Sequence, residues 1–407
     1  MKINFILPSL SALLAGSLYA QQGLYSIGVD ADEPMPLKWV VGASVIYDDN
    51  VNAGNGGPKE DSFAVNPFVG ASLVDVSPQT SWDVFVRLGL IYYFDAPSGI
   101  DDVNSQSRIG VNFTHSFSER LRFVSRNFVS YELEPDYSYG YASARTAGEY
   151  FFWSTDNALG YRWSERFGTY TGLRLSGTNY VDVDNNDRFG WQVYNQFRYQ
   201  LTPQTVLTAD YRYSQTSGDD LSSDSTDQFA LVGLEHRFSP TTVGTFGAGA
   251  QFRDVNDGGS PVSPYLEMAL RSRLTEQFSA RAFARYGMES YDTVQFVPGF
   301  GPVEYDNRGT LRIGVSSEYV VSPMFTIFAG VDYIPTAFEN GRSLATPPLF
   351  NSPDLDEDLI NAFIGVSIRF NDFVTGTLSY NFTDSSSDLA VRDYDRNRIS
   401  VGVTAEF

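Results

Sequence analysis

Arg237-Phe-Ser-Pro-Thr-Thr-Val243, RFSPTTV, joins an aromatic residue, a short polar turn and a fresh apolar start. Related phrases recur at 76–82 (VSPQTSW), 117–121 (FSERL), 163–167 (WSERF), 201–206 (LTPQTV), 274–279 (LTEQFS), 321–326 (VSPMFT) and 370–375 (FNDFVT). Ser, Thr and Asn side chains bond the backbone of the residues that follow them, and Pro presets φ, so these phrases favour tight reversals. They read as punctuation between strands.

The segments between them alternate with period two. In Arg188–Leu201, Phe189, Trp191, Val193, Asn195, Phe197, Tyr199 and Leu201 share one face, nearly all apolar, and Arg188, Gly190, Gln192, Tyr194, Gln196, Arg198 and Gln200 share the other, nearly all polar. Successive strand side chains point to opposite faces, so this is a two-faced strand. Trp82–Phe94 and Ile360–Phe370 follow the same rule, and Ala280, Ala282 and Ala284 stand opposite Arg281 and Arg285. The other strand ends are joined by longer stretches rich in Asp, Asn, Gly and Ser, such as 54–61, 96–106, 134–149, 181–188, 217–227 and 255–261, then 290–307, 335–358 and 383–396. Short turns and long loops alternate. The hairpins fall at 37–74, 81–116, 121–163, 167–201, 206–238, 243–274, 278–321, 325–370 and 374–407, which gives 18 strands, with 16 as the alternative count.

Gly, Ser, Thr, Asn and aromatic residues dominate, and aromatics make up 15% of the 407 residues. This favours an all-β chain. Residues 1–20 read as a secretory signal peptide: Lys2, an apolar stretch from Ile3 to Leu14, and Ala20 before Gln21. An N-terminal helix of the mature fold is the alternative reading. Residues 21–36 read as a periplasmic N-terminal segment, with the barrel at 37–407. Beyond the signal no run of about 18 apolar residues occurs, so spanning helices are excluded. Spanning strands are not, because alternation hides them from hydropathy windows. The pattern is that of a transmembrane antiparallel up-and-down β-barrel. The competing reading, a soluble sheet with one wet face, would need layers to cover so many apolar faces.

Aromatic residues refine this. Val76, Phe117, Trp163, Leu201, Phe238, Leu274, Val321 and Phe370 precede the tight turns. Tyr47, Tyr92, Phe94, Tyr131, Tyr180, Tyr211, Tyr213, Tyr333 and Tyr380 crowd the opposite strand ends. Both sets suit interfacial girdles.

The last strand places Ile399, Val401, Val403, Ala405 and Phe407 on one face. This resembles the C-terminal signature of bacterial outer-membrane barrels. The resemblance implies that Phe407 engages the barrel-assembly machinery, in the cell outer membrane of a Gram-negative-type bacterium. Tyr47-Asp-Asp-Asn-Val51 at the end of the first strand, with hairpins along the whole mature chain, resembles the β-barrel porin type 2 family. That implies a channel-like protein.

Net charge is −21, so a nucleic-acid partner is excluded as a reading. By strand parity Arg87, Arg122, Arg126, Arg174, Arg198, Arg212, Arg237, Arg281, Arg285, Arg312, Arg369 and Arg398 fall opposite the apolar face, with fewer acids (Asp83, Asp210, Glu235, Glu318, Asp332 and Glu406). Arginines lining a pore would raise local anion concentration. Alternatively they pair with the acids and form a rigid wall. The acidic loops could collect divalent cations and bridge lipopolysaccharide phosphates. Asp182–Asp187 has carboxylates at calcium-compatible spacing but lacks the full loop pattern, and an ordinary acidic loop is the simpler reading. The histidines are His115 and His236, and neither lies in a nucleophile motif. With no Cys, the chain reads as neither an enzyme nor a transition-metal protein, and no cofactor is expected. The 335–358 loop, with Pro347, Pro348 and Phe350, could fold inward as a constriction. The expected partners are therefore outer-membrane lipid and small hydrophilic solutes. A homo-oligomer suits the chain's size, but the sequence marks no lipid-facing trimer interface.

Overall fold

The computed structural model describes residues 35–53, 59–96, 101–133, 149–181, 187–218, 223–290, 293–345 and 352–407. The chain forms β1 (Met35–Asp48), β2 (Ser62–Val76), β3 (Thr80–Tyr93), β4 (Val103–Ser116), β5 (Leu121–Glu132), β6 (Tyr150–Arg162) and β7 (Phe167–Tyr180). It continues with β8 (Arg188–Thr202), β9 (Thr205–Gly218), β10 (Ser225–Ser239), β11 (Thr242–Val255), β12 (Val262–Arg273) and β13 (Phe278–Met288). The last strands are β14 (Val294–Val297), β15 (Gly301–Val320), β16 (Phe325–Ser343), β17 (Leu355–Arg369), β18 (Val374–Ser387) and β19 (Tyr394–Glu406). Each strand pairs antiparallel with its sequence neighbour, except that β13 pairs with β15 and the short β14 pairs only with the start of β15. Setting β14 aside, 18 strands form one sheet, and β1 pairs with β19 to close it. The closed sheet leaves no edge, and backbone groups are satisfied within it, as a lipid environment requires.

The repeated turn phrases owe their shape to side-chain oxygens. Ser118 Oγ accepts from the Leu121 amide at 3.1 Å, Ser164 Oγ from Phe167 at 3.2 Å, and Thr275 Oγ1 from Phe278 at 2.9 Å. Ser322 Oγ does the same for Phe325 at 3.2 Å, and Asn371 Oδ1 for Val374 at 2.9 Å. In RFSPTTV, Ser239 Oγ accepts from the Thr241 amide at 3.2 Å, and a register shift between Arg237 and Ser239 tightens the reversal. Each polar residue replaces a backbone partner lost where the ladder ends.

The outward face is apolar. Val41, Val45, Val69, Leu88, Val232, Phe246, Val315, Ile364, Leu378 and Val401 are all exposed there. At the tight-turn end Phe117, Trp163, Phe238, Leu274 and Phe370 stand about as exposed, as a girdle requires. Two expected girdle residues are misassigned: Val76 stands on the inward row of β2, opposite Ser81, and Tyr180 packs inward, its ring 5.8 Å from that of Tyr150, against a cluster of Phe128, Tyr150 and Phe152. Tyr180 lies on an even position of β7, whereas the outward residues of that strand, such as Leu173, are odd.

Because Ile364 lies near the middle of β17 and 54% exposed, Ile364→Arg is expected to destabilise the barrel by about 2–4 kcal/mol. An arginine at the inward neighbour Ser379 should be tolerated. Urea unfolding in lipid vesicles measures both, and equal tolerance would show that this face does not meet hydrocarbon.

The expected hairpins reappear, with different outer ends. β15 and β16 extend much further than their neighbours and stay paired from Val303↔Ser343 onward. Much of the expected 290–307 loop and the start of 335–358 are therefore strand. Val297, Val303, Tyr305, Phe338, Leu355 and Leu389 form an apolar cluster beneath these extensions, which explains why the strands continue there. Residues 1–34, with the expected signal peptide and nearly all of the N-terminal segment, lie outside the described residues. So do Pro347, Pro348 and Phe350. Met35 and Pro36 already belong to β1.

Candidate functional site

The inward face is built differently from the outward one. Several inward aromatic rings lie over a glycine directly across the strand pair. Phe85 faces Gly110, Tyr194 faces Gly172, Phe283 faces Gly314 and Phe328 faces Gly365. A Cβ on Gly110 would sit 2.1 Å from the Phe85 ring, and one on Gly314 would sit 2.1 Å from Phe283. The missing side chain lets each ring lie along the wall.

The arginines singled out in the sequence all stand on inward rows. Arg174 meets Asp156 at 2.8 Å, Arg198 meets Glu235 at 2.6 Å, and Arg212 meets Glu267 at 2.5 Å and Asp210 at 3.6 Å. Arg285 and Arg312 each reach Glu289 at 2.7 Å, and Arg398 reaches Asp48 at 3.2 Å. Arg87 stacks over Phe68, 3.9 Å from the ring centroid, and donates to Asn66 Oδ1 at 3.3 Å. Arg122, Arg126, Arg281 and Arg369 are half-buried, and Arg237 is exposed near its turn.

Sequence parity undercounted this face. Arg108, Arg253, Arg308 and Arg396 also point inward, as do Asp48, Glu132, Asp156, Asp227, Glu267 and Glu289. Most of these sit near the outer strand ends, beside loops to which the sequence reading credited the acids. Arg108 pairs with Glu132, and Arg253 chelates Asp227 at 2.9 and 3.2 Å. Arg253 also donates to the Glu289 carbonyl at 2.8 Å. Glu289 is the hub: its carboxylate accepts from Arg285 at 2.7 Å, Arg308 at 3.0 Å, and Arg312 at 2.7 and 3.0 Å. Three guanidiniums on one carboxylate form a charged patch in the wall, and Glu267 stands across the strand pair from Arg285. Arg308 and Arg312 are 0% and 4% exposed, so the patch is firmly packed. Its loss from view in the sequence is understandable: Glu289 and Arg308 flank a long loop, and only the β13–β15 pairing joins them.

A second set pins the closing seam. Arg396 makes three contacts with Asp48, two of them at 3.0 Å from Nε, and both residues are 2% exposed. At the other end Lys38 bonds Glu406, while Trp39 and Phe407 exchange backbone bonds of 3.0 and 2.8 Å.

At the outer end the loops tie to one another. Glu304 accepts from the Ser223 hydroxyl at 2.8 Å and pairs with Arg342, which also donates to the Asp257 carbonyl. Asp306 Oδ2 accepts from the Gly259 amide at 2.7 Å, and Arg392 reaches Glu357 at 2.7 Å. Of the acidic run at 182–187 only Asp187 is described, and it caps the Tyr180 amide at 2.7 Å and bonds Asn179 at 2.8 Å. Both histidines face outward near tight turns, each bonded through Nδ1 to a threonine across the strands: His115 to Thr80 at 2.8 Å, His236 to Thr205 at 2.9 Å. Among the described residues no group of His, Cys, Asp and Glu is arranged to hold a metal ion.

A closed antiparallel sheet, apolar outside and charged inside, with tight turns at one end and long loops at the other, defines an outer-membrane β-barrel. No protein-family profile and no curated protein matches the chain. Among solved structures it is similar to Pseudomonas aeruginosa OccK2 (OpdF), at 11% identity over 91% of this chain and 98% of that one, with a TM-score of 0.48. It is also similar to Acinetobacter baumannii OccAB4, at 10% identity over 93% and 100%, with a TM-score of 0.46. The siderophore receptor PirA from Pseudomonas aeruginosa aligns at 11% identity over 92% and 81%, with a TM-score of 0.42. No function follows from likeness at this level. The class rests on the chain's own registers and outer belt.

Proposed function

We propose that this chain is an outer-membrane channel for passive diffusion of small hydrophilic solutes, with an arginine-lined lumen that favours anions. The observation that carries the reading is the set of inward arginines that keep partial exposure, among them Arg87, Arg122, Arg126, Arg174, Arg198, Arg281 and Arg369. Fixed positive groups along a passage raise the local concentration of anionic solutes. An 18-stranded barrel is wide enough for water unless loops or side chains fill it. The resemblance to the β-barrel porin type 2 family belongs to this proposal, as do assembly through Phe407, divalent cations bridging the acidic loops to lipopolysaccharide, and the twelve arginines as pore lining.

A second reading, a non-conducting envelope-structural, surface-adhesive or polysaccharide-export accessory barrel, draws on the cross-tied outer loops and the apolar cluster beneath them. Reversal potentials in a KCl gradient test the first reading. The expected sign is that of anion preference, and it should weaken in Arg281→Gln, at a half-buried inward arginine. A clear cation preference in the native protein contradicts the arginine lining.

A further inference from the structure

Among the described residues the most extensive bonded polar group on the outward belt lies on β5–β8; smaller ones, such as the bonded Ser105 and Ser107 on β4, occur elsewhere. Ser125 and Asn127 on β5 lie level with Asn157 and Thr155 on β6, and all four occupy outward positions. Ser125 Oγ donates to Asn157 Oδ1 at 2.7 Å, and Asn157 Nδ2 donates to Thr155 Oγ1 at 2.7 Å. Thr155 Oγ1 donates to Asn127 Oδ1 at 2.8 Å, and Asn127 Nδ2 closes the ring onto Ser125 Oγ at 3.0 Å. Two strands further on, Asn195 Nδ2 donates to Thr171 Oγ1 at 2.6 Å, while Asn195 Oδ1 is covered and bonds none of the described residues. These residues lie in the middle of their strands, level with Val111 and Val193, where hydrocarbon would surround them.

Such groups are expensive in that place. A polar side chain left facing lipid lacks the hydrogen bonds water would give, and an amide has more donors and acceptors than the ring uses. Interhelical amides in membranes associate for the same reason, at up to about 1–2 kcal/mol per bond. Other outward positions around the barrel, such as Val69, Leu88, Val232, Val315, Ile364 and Val401, show what the belt uses where it meets lipid alone.

We propose that this patch is where a second copy of the same chain docks within the membrane. Three features select a copy as the occupant. Asn, Ser and Thr both donate and accept, so the patch is complementary to itself. It carries no charge, so two copies can meet there although each chain is strongly acidic. Its restriction to four neighbouring strands, about 15 Å across at the usual strand spacing, favours a closed assembly of few copies. The inference needs only the membrane barrel and is independent of whether the lumen conducts.

The absence of native Cys makes the test direct. Thr171→Cys and Asn195→Cys are placed singly in the full chain, treated in isolated outer membranes with a short bis-maleimide, and compared with Ile364→Cys on a distant face. The expected result is a product of twice the chain mass from the patch positions, at least tenfold above the control. Light scattering of the detergent-extracted native protein should give a multiple of the chain mass. Asn127→Leu with Asn157→Leu should give the monomer while keeping the heat-dependent gel shift of a folded barrel. Asn195→Leu alone should weaken association if the double variant fails to fold. A monomeric native particle with no patch cross-link overturns the proposal. So does a cross-link to a chain of different mass, or a leucine variant that assembles as the native protein does.

Discussion

Glu289→Ala is expected to destabilise the barrel by about 3–5 kcal/mol, because it leaves Arg285, Arg308 and Arg312 facing one another in a packed wall. In the native arrangement one carboxylate bonds all three cations. Removing a single partner of a buried ionic group costs more than the group ever contributed, since the remaining charges stay desolvated. Glu289→Gln should fall between, keeping some hydrogen bonds and losing the charge. Glu289→Ala combined with Arg308→Ala should recover part of the loss, because the two residues share one network and their effects are not additive. Urea midpoints in lipid vesicles read this directly. A midpoint for Glu289→Ala within about 0.5 kcal/mol of native would show that the cluster is not a structural unit, a size typical of featureless surface changes.

The second large effect is expected at the seam. Chain closure brings β1 against β19 from Val40↔Glu406 to Asp48↔Arg398. Asp48 is almost fully enclosed and holds Arg396 and Arg398. Asp48→Ala should therefore cost about 3–5 kcal/mol and lower the temperature at which the compact form is lost on a gel. Lys38→Ala, whose ion pair with Glu406 lies partly open to solvent at the other end, should cost about 1 kcal/mol or less. The contrast separates a buried closure lock from an ordinary surface pair. Equal small effects would mean that backbone pairing alone closes the sheet.

These two networks also mark where the sequence stopped being readable. The hairpin frame was legible because side-chain alternation and turn chemistry are local: RFSPTTV and its relatives announce reversals without reference to anything distant. The inward arginines followed from the same parity. Their partners did not. Glu289 and Arg308 are separated by a long loop that carries β14, and Asp48 meets Arg396 only once the sheet has closed. Carboxylates near loop boundaries look like solvated loop acids until pairing shows which way they face. Tyr180 was misplaced because its strand's parity, not its nearness to a loop, decides its side. The polar ring of Ser125, Asn127, Thr155 and Asn157 was hidden for a further reason: each residue alone is an unremarkable exception to an apolar row, and only the β5–β6 register stacks them at one level.

The central claim, an open channel through the closed barrel, is tested most directly by planar-bilayer recording of the refolded native protein. Stepwise conductance increments that grow in proportion to salt concentration are the expected result. A protein that is folded by its heat-dependent gel shift, inserts, and yet never produces a conductance step would contradict the channel reading and leave a closed, structural barrel.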